Sequence, residues 1–145
     1  MHLEKYDFIK GPEKHYYHFF SEGSKGRIEK VIEFFEIHTG IFNLAFGDVD
    51  EKTGHINDTV ASNNDDRDKV LATVAGAVFD FMDDHPGAIL YAEGSTPART
   101  RLYQMGISKF WDEISEDFKI EGFAKGGWKP FAKGENYESF LLKIK

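Results

Sequence analysis

A chain of 145 residues, 41% hydrophobic and with 14 phenylalanines, carries enough apolar side chain for one Phe-rich core, so a single domain over 1–145 is expected. Cysteine is absent, which excludes disulfides, a thiol nucleophile and Cys-ligated zinc and suits a reducing cytoplasm. A net charge of -7 argues against general nucleic-acid binding, whose affinity comes mostly from neutralising phosphates, though it leaves room for a local basic patch.

In chain order, the opening Met1-His2-Leu3-Glu4-Lys5 has no basic region leading into an apolar run, so no signal peptide is expected. No apolar stretch approaches the ~20 residues that cross a bilayer, so no membrane partner is expected either. The aromatic run over 15–21 predicts a strand, and Glu22-Gly23-Ser24-Lys25-Gly26 predicts a turn. β-branched and aromatic residues over 31–37 predict a second strand. After His38-Thr39-Gly40, a third strand is expected over 41–46 and a short fourth over 56–61, with a polar loop over 48–54 between them. Such short connections suit an antiparallel meander.

The period then changes. Over 66–83, Val70, Val74, Val78 and Met82 share one helical stripe flanked by Leu71, Ala75 and Phe79. Ser62-Asn63-Asn64-Asp65 supplies N-cap residues, and Pro86-Gly87 ends the element. The unbroken apolar run over 88–92 predicts a central strand buried on both faces. A second helix opens after Glu93-Gly94, with Ser95 or Thr96 as cap and Pro97 in the first turn, where its missing N–H is not needed. Ala98, Leu102, Met105, Phe110 and Ile114 carry that helix to about residue 115, bent at Gly106. Strands over 118–123 and 137–144, joined through Gly126-Gly127-Trp128, complete the chain. The fold class is therefore α+β, a mainly antiparallel sheet with two principal helices.

Only four arginines occur, and three of them, Arg67, Arg99 and Arg101, fall in the two helical segments. Arginine suits fork-like recognition of carboxylate or phosphate. A strand that ends in Gly94-Ser95-Thr96 offers amides and hydroxyls at a helix start, the positive end of the helix dipole. With Arg99 and Arg101 following, this segment is a candidate anion site, although ordinary helix capping also explains Ser95, Thr96 and Pro97. Arg99 and Arg101, two apart on a helix, diverge in direction. Should the other helix begin on the same rim of the sheet, Asn64 and Arg67 would join them, at the edge where open α/β sheets take ligands. The carboxylates over 48–58 precede a glycine in the manner of a calcium loop, but Lys52 stands where an oxygen ligand is wanted; a polar turn is expected instead. The six histidines (His2, His15, His18, His38, His55 and His85) show no metal-ligand spacing, and no metal is expected.

Two resemblances follow from these residues. The runs over 62–74 and 94–103, with Asn43-Leu44-Ala45-Phe46-Gly47-Asp48 and Tyr137-Glu138-Ser139-Phe140, resemble a family of small uncharacterised bacterial proteins with looser relatives in phages. That resemblance covers nearly the whole chain and implies no function. The stretch from Arg67 to Ile107 is also similar to the core of the GNAT acyltransferases, which run meander, helix, strand, helix, two strands. Arg67, Val70 and Ala72 occupy the frame of their pyrophosphate loop, with Val70 where those enzymes place glycine. Ala98, Leu102-Tyr103 and Gly106 resemble their second helix, and that resemblance implies Tyr103 as the acid that protonates the departing thiolate.

Three classes of function remain open. The first is a non-catalytic domain that binds an anionic small molecule or a protein partner near Asn64, Arg67, Ser95, Thr96, Arg99 and Arg101. In the second, an acyltransferase, acyl-CoA is the only cofactor and Tyr103 the catalytic residue. The third is a protein-interaction component of a bacterial or phage gene cassette.

Overall fold

The computed structural model describes residues 4–11, 15–50, 52–53, 56–57 and 64–145. Its elements in chain order are β1 (Ile9–Lys10), β2 (Tyr16–Gly23), β3 (Gly26–His38), β4 (Ile41–Val49), β5 (Ile56–Asn57), α1 (Arg67–Asp84), β6 (Ile89–Ala92), α2 (Pro97–Lys109), α3 (Trp111–Asp117), β7 (Phe118–Ala124), β8 (Gly127–Pro130) and β9 (Ser139–Ile144). Eight strands join in the order β1-β2-β3-β4-β6-β9-β7-β8, and β5 pairs β4 on the edge that β4 also offers to β6.

The class is α+β as expected, but the sheet is mixed. Chain β4 leads through α1 into β6, and a helical crossover of this length returns the next strand parallel to the first. The other strand pairs are antiparallel. Along β4 the register with β6 covers Ile41 to Leu44, and β5 takes Asp48 and Val49. Among the described residues, 45–47 of β4 pair with β3 alone.

Strand alternation builds the core. Tyr17 and Phe19 of β2, Ile32 and Phe34 of β3, Phe42, Leu44 and Phe46 of β4, and Leu90 and Ala92 of β6 are buried on one face. Onto that face α1 presses Val70, Leu71, Ala75, Val78, Phe81 and Met82. Of the expected stripe and its flanks, Val70, Leu71, Ala75, Val78 and Met82 are buried and Val74 and Phe79 are half-buried; Phe81, outside that stripe, is fully buried and stacked on Phe34 with ring centres 4.2 Å apart.

Several boundaries differ from the sequence expectation. The second helix stops at Lys109, and Phe110, almost fully buried with φ -105° and ψ 26°, turns the chain into α3. Strand β8 was expected as a connecting loop. Lys125 and Gly126 both take positive φ (53° and 78°), which makes a tight two-residue hairpin between Ala124 and Gly127. The fourth strand was expected over 56–61; Ile56 and Asn57 form it, and 58–61 lie outside the described residues. The residue capping α1 is Asp66, with no side-chain cap bond; of the expected caps, Ser62 and Asn63 lie outside the described residues. No helix among the described residues is long and apolar enough to cross a membrane.

Candidate functional site

The start of α1 is tied to the β2–β3 hairpin by polar side chains. Asn64 is buried, and its side chain donates to the Ser21 hydroxyl (3.1 Å) and the Gly26 carbonyl (2.8 Å) while accepting from the Lys25 amide (2.6 Å). Its backbone lies so close to the hairpin that a Cβ on Gly23 would sit 1.8 Å from the Asn64 carbonyl oxygen. The Asp66 carboxylate accepts from the Tyr6 hydroxyl (2.6 Å) and from Ser21, and the Asp65 carboxylate accepts from Ser24. Tyr6 has its hydroxyl pKa raised, first by burial and then by the bond it donates to Asp66. Asn64 therefore serves the fold and does not face a ligand rim.

The start of α2 is likewise occupied. Thr96 accepts the Arg99 amide on its hydroxyl (3.2 Å), and the Gly94 amide donates to the Thr100 hydroxyl (3.0 Å). A Cβ on Gly94 would meet the Thr100 nitrogen at 2.3 Å, so this glycine allows the chain leaving β6 to fold back against the helix. Arg99 points inward. Its guanidinium lies 5.3 Å from the centre of the Phe46 ring, which also has the Lys30 ammonium at 5.8 Å. Lys30 itself is buried and donates to Asp48 at 2.6 Å.

Arg101 points the other way, outward, as the two-residue spacing requires. It lines a surface groove together with Arg67, Lys109 and Lys133. Asp68 is the one carboxylate among the groove residues, and Lys109 already holds it at 3.3 Å. Among the described residues neither Arg67 nor Arg101 takes part in an ion pair. Gln104 forms the groove's middle. It accepts the Tyr137 amide (3.2 Å) and donates to the Glu135 carbonyl, which fastens the 131–136 loop against α2. A second recess, containing Ser95 and Thr96, continues the groove past Arg101, Gln104 and Asn136 and is bordered by Glu93 and Glu138.

The expected rim of two helix starts is thus rearranged. The first turn of α1 lies against the last turn of α2, with Asp68 bonded to Lys109, and the α1 start carries its own acids at 65, 66 and 68. Arg67 and Arg101 share a groove along the helix sides; Ser95 and Thr96 flank it; Asn64 and Arg99 are drawn into the fold. Lys109, Lys133 and Gln104 went unmarked in the sequence. Arg101, Gln104 and Ser108 recur at one-face helical spacing, a signal that would have found Gln104.

Tyr103 lies on the inner side of α2, 8% exposed, in the wall of an apolar cavity of about 60 Å³ between α1, α2 and the sheet. Leu44, Phe46, Val74, Val78 and Leu102 also line it. No group of three or more His, Asp or Glu residues suited to a metal gathers among the described residues.

Over residues 2–145 the chain matches the model of a family of unknown function (DUF6934), and it belongs to that family. No curated protein and no solved structure matches it.

Proposed function

We propose that the protein is a non-catalytic binding domain that takes an anionic ligand in the groove of Arg67, Arg101, Lys109 and Lys133. The observation that carries this reading is the convergence of four cations from three segments on a protein with a net charge of -7. Solvated cations on an acidic surface ordinarily disperse among the acids, whereas among the residues lining this groove one carboxylate stands beside four cations, with Asp65 and Asp66 on the far side of Arg67. Two guanidiniums in one groove supply the planar forks suited to phosphate or carboxylate, and Gln104, Ser108 and Asn136 add neutral polar groups beside them. The groove walls are held by the Gln104 bonds to the 135–137 backbone, so little ordering is needed on binding.

The test is thermal stability of the full chain against inorganic phosphate, pyrophosphate and acetyl-CoA. A ligand at ~100 times its Kd adds about 2.7 kcal/mol of stability. Pyrophosphate is expected to raise the midpoint, with Arg67→Ala and Arg101→Ala each weakening binding about tenfold, as for loss of a charge-assisted hydrogen bond. No shift with any anion, or shifts that both variants retain, would sink the reading.

A second reading, an acyl-CoA-dependent N-acyltransferase of GNAT type, draws support from the topology. The chain runs meander, helix, strand, helix and further strands, the order that resemblance implies, with α3 and β8 in addition. Under it Tyr103 is the acid, and its hydroxyl must reach substrate from within an apolar wall. The Val70 side chain is buried in the core, so the phosphate-loop frame is filled where glycine would leave backbone open. Both features favour the binding-domain reading.

A further inference from the structure

At the far end of α1 the fold brings together two histidines that are seventy residues apart in sequence: His15, beside the start of β2, and His85, which caps α1. Their Nε2 atoms lie 3.2 Å apart. The Nδ1 of His85 lies 3.0 Å from the Phe81 carbonyl, an acceptor only, so that nitrogen carries the ring proton and the Nε2 lone pair of His85 faces His15. Packing holds both rings. His85 stacks on Phe81 with centres 4.3 Å apart, and His15 meets Phe42 and Phe81 edge-on at 5.7 Å each. Both residues keep partial exposure.

We propose that His15 and His85 form a two-imidazole site for a divalent late first-row transition metal ion, Zn²⁺, Ni²⁺ or Cu²⁺. With metal–nitrogen bonds of about 2.0–2.1 Å, a separation of 3.2 Å between the donors subtends about 100–106° at the metal, close to tetrahedral. The ring centres are 5.0 Å apart and the planes are inclined by 57°. That is closer than two imidazoles meeting head-on along one N–H···N line would stand, so the two donors converge obliquely on a common point. A bond from the other ring nitrogen to a backbone carbonyl is the usual device that orients a metal-bound histidine, and His85 has it.

Proton bookkeeping is simple. In the metal-free neutral pair His15 donates its Nε2 proton to His85. On binding, that proton moves to Nδ1 of His15, and both Nε2 lone pairs go to the metal, with no net proton released from the neutral pair. Among the described residues, Asp84, the acid next to His85, is held by Lys10 at 2.5 Å, so the proposed site has two protein ligands there and water in the other positions. The site is open and exchangeable. It is also separate from the basic groove, because the 18 residues of α1 at ~1.5 Å each place about 27 Å between them.

The test is calorimetric titration of the full chain with Ni²⁺, Zn²⁺ and Mg²⁺ at pH 7.5, with electron paramagnetic resonance of bound Cu²⁺. One Ni²⁺ or Zn²⁺ per chain is expected, no binding of oxygen-preferring Mg²⁺, and nitrogen splitting from two imidazoles in the Cu²⁺ spectrum. His15→Gln and His85→Gln are each expected to weaken binding at least tenfold, and exposed His38→Ala to leave it unchanged. Unchanged affinity in His15→Gln and His85→Gln, loss on His38→Ala, or a Cu²⁺ spectrum with a single nitrogen would overturn the site. The spectrum is read on the unsubstituted protein and does not depend on the variants folding.

Discussion

The two ends of α1 are held by opposite kinds of chemistry. At the C-terminal end Phe81 lies in a box of Phe34, Phe42 and His85, and Tyr17 packs on Phe34 from the next strand. At the N-terminal end Asn64, Asp65 and Asp66 replace packing with directed bonds to Ser21, Ser24, Lys25 and Tyr6. Apolar contact adds up over area and tolerates small shifts, whereas each buried polar group needs its partner at a fixed place. The aromatic end thus carries most of the energy, and the polar end sets where the first turn, and with it Arg67, must lie.

That contrast breaks most sharply at Phe81. Truncation to alanine removes a fully buried ring and opens a cavity among Phe34, Phe42, His15 and His85, for an expected loss of about 3–5 kcal/mol in a urea melt. At the polar end, Asn64→Ala deletes three hydrogen bonds and leaves the Gly26 carbonyl and the Lys25 amide to find new partners. The expected loss is about 2 kcal/mol, less than for the ring. Asn64→Asp keeps the acceptor for Lys25 but sets a buried carboxylate oxygen against the Gly26 carbonyl, and should cost at least as much as Asn64→Ala. If Asn64→Ala costs more than Phe81→Ala, the division of labour between the two ends is wrong.

The same division explains what the sequence made legible. Helix α1 was expected over 66–83 and spans 67–84, because a helical period of apolar residues survives any tertiary context that buries one face. The apolar period places Phe110 in the α2 stripe, yet its ring is buried by breaking the helix; periodicity cannot register a turn made to place a side chain. In the site, residue type was informative and direction was not. Arg67 and Arg101 meet in the groove, but Arg99 lies inside against Phe46, and no local pattern tells which of two arginines faces in. Asn64 read as a cap candidate because its partners, 38 to 43 residues away, are fixed only by the β2–β3 hairpin. His15 and His85 meet through the same kind of long-range placement.

The aromatic end also has polar contacts on its rim, and those of Asp80 give the smallest of the expected effects. Asp80 accepts the Tyr17 hydroxyl at 2.7 Å and binds Lys10 at 2.6 Å. Burial pushes its carboxyl pKa up, but the hydrogen bonds from Lys10 and Tyr17 outweigh burial and leave it below the usual carboxylate range. With the folded value depressed, the folded state holds that proton less tightly than the unfolded chain does. The contribution is therefore complete above about pH 3.9 and declines as pH falls through the folded value. Asp80 is about two-fifths exposed, so screening limits the effect to about 0.5 kcal/mol or less. Asp80→Asn should flatten this part of the acid limb of a stability–pH profile and leave the slope between pH 5 and 8 unchanged. An acid limb equally steep in Asp80→Asn would show that the Lys10 and Tyr17 contacts of Asp80 do not set it.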